Sequence, residues 1–121
     1  MRLVKRQELM TLPAGTLFCE LHEPWVFGGL QLKGDTIRNP LIRDGNIDFW
    51  VRQIDWPDAD DTGMALDRLD EMSADSSVSY PVDSAYGRHG LYDDDQLYLI
   101  YEPADTAALI AAIQPVAGGT A

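Results

Sequence analysis

A chain of 121 residues, 45% of them apolar, has the size of one domain and enough apolar side chains for a single core. Its formal charge of −11 is one-sided: residues 1–54 hold seven bases and six acids, residues 55–121 hold two bases and fourteen acids. This argues against direct contact with nucleic acid or an anionic membrane, both of which need a basic footprint, and permits a partner protein with a basic surface, the alternative being that the acids only confer solubility.

The first ten residues are charged and lack the apolar run of a secretory signal, and no segment reaches the roughly 18 apolar residues of a spanning helix. One cysteine, Cys19, permits no internal disulfide, so the expected location is cytoplasmic. Residues 5–11 read as a short helix ended by Pro13 and Gly15. Residues 16–22 alternate, with Leu17, Cys19 and Leu21 on one face and Phe18, Glu20 and His22 on the other, which predicts a strand. A second strand over 25–33 is interrupted at Gly28-Gly29, a signal of a bulge or a close backbone approach. Gly34-Asp35 reads as a turn, residues 37–43 as an edge segment limited by Pro40, and Asp44-Gly45 as a tight hairpin. The strand over 47–54 follows, with Ile47, Phe49 and Val51 on one face.

Residues 55–75 carry eight acids, Asp55, Asp58, Asp60, Asp61, Asp67, Asp70, Glu71 and Asp75, against Arg68 alone. Asp61 or Thr62 can cap a helix running to about Ser73, because either offers an oxygen to the first free N–H groups. The spacing of Ala65, Leu69 and Met72, with Leu66 beside them, predicts a buried stripe opposite Asp67, Asp70 and Glu71. Residues 75–90 read mostly as loop, with a short extended piece at 78–80. After Asp93-Asp94-Asp95 comes an apolar strand over 97–101, then a helix from Pro103 to Gln114 packed through Ala107, Leu109, Ile110 and Ile113. The pattern is α+β: an antiparallel sheet of four to five strands with two or three helices, one domain over residues 1–115 and a frayed tail over 116–121.

Asp58-Ala59-Asp60-Asp61-Thr62-Gly63 matches the opening of a calcium loop, but Leu69 stands where the bidentate Glu is required. Cys19 and His22 point to opposite faces of their strand and cannot share a metal ion, and no nucleophile elbow, phosphate loop or dinucleotide fingerprint occurs. The expectation is no catalysis, no metal and no cofactor. Trp56, among the acids, is either an aromatic anchor for a partner or a lid folded onto the sheet. Arg88-His89, between glycines, is either a recognition loop or a turn whose arginine neutralises aspartates.

In size, single-domain α+β pattern and the acid run at 55–75, the chain resembles the small acidic proteins with which phages and mobile elements block nucleic-acid-handling machinery, the anti-CRISPR proteins among them. The resemblance implies an inhibitor or accessory factor that occludes a basic, nucleic-acid-binding protein. The partner-binding residues expected are Asp55, Trp56, Asp58, Asp60, Asp61, Asp67, Asp70, Glu71, Asp93, Asp94 and Asp95. A toxin-neutralising immunity protein, a small-molecule binder or enzyme using the Arg88-His89 loop, and an oligomeric subunit are the alternatives.

Overall fold

The computed structural model describes residues 1–41, 45–90 and 93–114. Alternation of apolar side chains drives the strands into one antiparallel sheet. Along it run β1 (Arg2–Lys5), β7 (Leu97–Tyr101), β2 (Leu17–His22), β4 (Gln31–Arg38), β5 (Asn46–Gln53) and β6 (Gly87–His89), with the two-residue β3 (Val26–Phe27) also on β2. Three helices complete the α+β fold: α1 (Arg6–Thr11), α2 (Thr62–Ala74) and α3 (Pro103–Ile113).

Strand twist curls this sheet until its edges approach one another. Arg6, which immediately follows edge strand β1, donates to the carbonyls of Ile47 on β5 (3.2 Å) and His89 on β6 (3.5 Å). The concave face holds the main core of Val4, Phe18, Phe49, Tyr98 and Ile100, and α1 covers it with Leu9 and Met10. Phe18 meets both Phe49 and Tyr98 edge to face, with centroids 6.0 and 5.8 Å away. A smaller cluster of Cys19, Leu21 and Leu99 lies on the convex face, as alternation along β2 requires.

The sheet has seven strands where four to five were expected. Strands β1 and β6 escape a search for apolar alternation because Arg-Leu-Val-Lys buries only Val4 and Gly-Arg-His has no aliphatic residue at all. Gly34-Asp35 is not a turn. It lies inside β4, which is paired on both sides and absorbs the irregularity as a register shift between Lys33 and Thr36. Of the two alternatives at Gly28-Gly29 the close approach holds and the bulge does not: the pair lies in the connection between β3 and β4, outside any strand ladder, and a Cβ on Gly29 would stand 2.1 Å from Gln53 Nε2 and 3.1 Å from Asp55 Oδ1. Asp44 and the tail over 116–121 lie outside the described residues. Residues 78–80 form no strand; isolated bridges Pro57–Val82 and Ala59–Ser84 tie the acidic loop to its return segment instead.

Both longer helices depart from their predicted packing. In α2, Ala65 is buried and Met64, Arg68 and Met72 are half-buried, while Leu66 and Leu69 are 55% and 49% exposed. The packed stripe is rotated because Arg68 occupies an inward place, stacked over the Tyr80 ring at 4.5 Å. In α3 no residue is buried, so Ala107, Leu109, Ile110 and Ile113 do not pack it into a core.

Candidate functional site

The acidic stretch begins where β5 ends and turns along the rim of the sheet. Its carboxylates divide into those the fold uses and those it leaves to solvent. Asp55 accepts from the Leu30 backbone N–H (3.0 Å) and from Gln53 (3.2 Å), pinning the Gly29 approach. Asp61 is the N-cap of α2, accepting from Met64 N at 2.7 Å. Glu71 accepts from the Tyr80 hydroxyl, and this bond raises the Tyr80 pKa. Asp75 accepts from both the N–H and the hydroxyl of Ser77, which hold its carboxyl below the ordinary range.

Asp58, Asp60, Asp67 and Asp70 are exposed, and among the described residues none of them has an ion partner. The one base within the stretch does not neutralise them. Arg68 turns inward to the Asp58 carbonyl (3.4 Å) and to Tyr80, leaving the outer face of α2 anionic. Going round the helix at 100° per residue, Leu69, Leu66, Asp70 and Asp67 follow one another on that outer face. The surface is therefore an exposed leucine pair bordered by carboxylates that have no ion partner among the described residues.

Trp56 is half-buried, between the two alternatives the sequence allowed. It lines a small pocket of about 160 Å³ together with Asp60, Asp61, Ser84 and Arg88. The second acid cluster hangs elsewhere, at the start of β7, three strands from β5 in the sheet order. There Asp93 accepts from Asp95 N at 3.0 Å, Asp95 meets Lys5 at 3.5 Å, and Asp94 is exposed. Among the described residues no hydrogen bond or ion pair joins Asp93–Asp95 to the 55–75 stretch.

A different kind of cluster lies inside the curled sheet, and no local pattern of residues announces it. His89 Nε2 stands 3.1 Å from Glu20 Oε1, its ring stacks on Phe49 at 4.5 Å, and its Nδ1 is buried without a partner. The hydrogen bond from His89 holds the Glu20 carboxyl below its ordinary pKa, against the opposing effect of burial. Burial, reinforced by Glu20 and opposed by Arg6, pushes the Tyr98 phenol well above its ordinary value. Nearby, the fully enclosed Lys33 donates to Gly34 O (3.0 Å) and Thr36 (2.8 Å), and burial lowers its pKa.

This arrangement braces the interior. Two faces of the sheet separate the thiol from the imidazole: Cys19 lies on the convex side, 3.8 Å from the Tyr101 hydroxyl, and burial raises its pKa. Arg88 is paired with the buried Asp48, and His89 with Glu20, and both residues lie in the paired strand β6 rather than in a loop or turn. No group of three or more His, Cys, Asp or Glu placed to hold a metal occurs among the described residues, and no described helix is long and apolar enough to cross a membrane. Compared with known proteins, the chain matches no family model, no curated protein and no solved structure.

Proposed function

We propose that this chain is a non-catalytic interaction protein, an inhibitor or accessory factor whose α2 face docks on a basic surface of a nucleic-acid-handling protein, in the manner of anti-CRISPR occlusion. One observation carries the reading: Leu66 and Leu69 stand exposed on α2 beside Asp67 and Asp70, which have no ion partner among the described residues. Both leucines stand outside the buried core clusters, and covering the half of each that is exposed against a partner is worth about 25 cal/mol per Å² of apolar surface removed from water. The surrounding carboxylates steer a cationic partner and speed association more than they deepen affinity. Asp58 and Asp60 extend the field along the loop, with Trp56 beside it as a half-buried aromatic contact. Asp55, Asp61 and Glu71 hold the surface in shape through their intramolecular bonds, and Asp93–Asp95 forms a separate, secondary acidic patch.

The test is capture of the partner from nuclease-treated lysate on immobilised protein, with elution by rising salt. Wild type should release its partner as salt screens the field, and Asp67→Lys/Asp70→Lys should lose it already at low salt. The same captured protein, eluting at the same salt from both, refutes the proposal.

A further inference from the structure

Helix α3 has no polar face in its second half, which reads Ala107-Ala108-Leu109-Ile110-Ala111-Ala112-Ile113. Helices apolar on all sides are ordinarily buried. Here Ile110 and Ile113 are 56% and 79% exposed. Between α3, β7 and the α1–β2 connection opens a mainly apolar cleft of about 550 Å³, walled by Leu12, Pro13, Leu17, Tyr101 and Ile110 with the Arg2–Glu102 pair also in its lining, while Ile113 stands outside it. An apolar knob and an apolar hole thus share one face of the molecule.

Charges around this face are closed within the chain. Arg2 bridges Glu8 (3.2 Å) and Glu102 (3.1 Å), and Asp105 accepts from Glu102 N (2.9 Å) in the capping box and meets the Met1 ammonium at 2.7 Å. We propose that α3 and its cleft form a twofold interface between two copies of this chain, Ile113 of each entering the cleft of the other. A second copy fits better than a basic partner, which gains nothing from a compensated face and is drawn to α2. Two molecules of charge −11 repel wherever unpaired carboxylates meet, and among the described residues this face brings none together. Knob beside hole is also the self-complementary arrangement that a twofold axis requires.

Sedimentation equilibrium of the full chain at low and high salt tests this. The expected result is a dimer that tightens as salt rises, because screening weakens the like-charge repulsion; partner capture through α2 has the opposite salt dependence. Ile110→Glu and Ile113→Glu should each raise the dimer dissociation constant at least about tenfold, with an unchanged circular dichroism spectrum. Ile113→Ser replaces the charged variant should that one misfold. A monomer at every concentration and salt overturns the proposal. So does a dimer that these variants form as tightly as the parent, or one that only Leu66→Ser/Leu69→Ser disrupts.

Discussion

Replacing Glu20 tests whether the His89 cluster braces the curled sheet. Glu20 projects from β2 in the middle of the sheet and His89 from edge strand β6, so their 3.1 Å contact ties elements that no backbone ladder joins. A hydrogen bond to a charged group contributes about 1.5–3 kcal/mol. Glu20→Ala removes that and leaves His89, whose Nδ1 already lacks a partner, with no acceptor at Nε2. In a domain of this size about 1 kcal/mol moves the melting temperature by roughly 3–5 °C, so a loss of about 5–15 °C follows. Glu20→Gln, which keeps a neutral acceptor, should cost about half as much.

The pH dependence has a definite sign. The Glu20 pKa is lowered on folding from an ordinary value of 4.5, so its contribution is complete above that value and is lost as pH falls through the lower folded value. Glu20→Gln lacks this contribution at every pH. Thermal melts followed by circular dichroism should therefore show wild type and Glu20→Gln well separated at neutral pH and converging in acid. A separation of constant size across that range refutes the bracing role of the charged pair.

Leu66→Ser/Leu69→Ser should change stability by less than about 1 kcal/mol, measured by urea unfolding, because neither side chain is in the core, yet it should abolish partner capture. Asp61→Ala removes the α2 cap and should cost about 0.5–2 kcal/mol with reduced helical signal, whereas Asp67→Ala should leave both unchanged. Gly34→Ala sets a Cβ 2.9 Å from the Trp50 Cβ and 3.2 Å from its carbonyl, which should destabilise by about 1–3 kcal/mol. Gly87→Ala meets open space and should be neutral or slightly stabilising, so equal effects at the two glycines would contradict the packing described.

Alternation and punctuation in the sequence located β2, β5 and β7, the short α1, the close approach at Gly28-Gly29 and the bounds of α2 and α3. These features depend on local periods of 2 and 3.6 and on turn residues, which the chain carries residue by residue. The uneven distribution of acids is likewise a property of composition alone. Which carboxylates remain uncompensated is not: Asp61 and Asp67 are identical in the sequence, and only the path of the backbone makes one a helix cap and leaves the other in solvent. The packed face of α2 depends on Tyr80, a residue outside the helix, whose ring draws Arg68 inward and so turns Leu66 and Leu69 outward. The pairing of Glu20 with His89 spans 69 residues and exists because the sheet curls, a consequence of strand order and twist that no local pattern encodes.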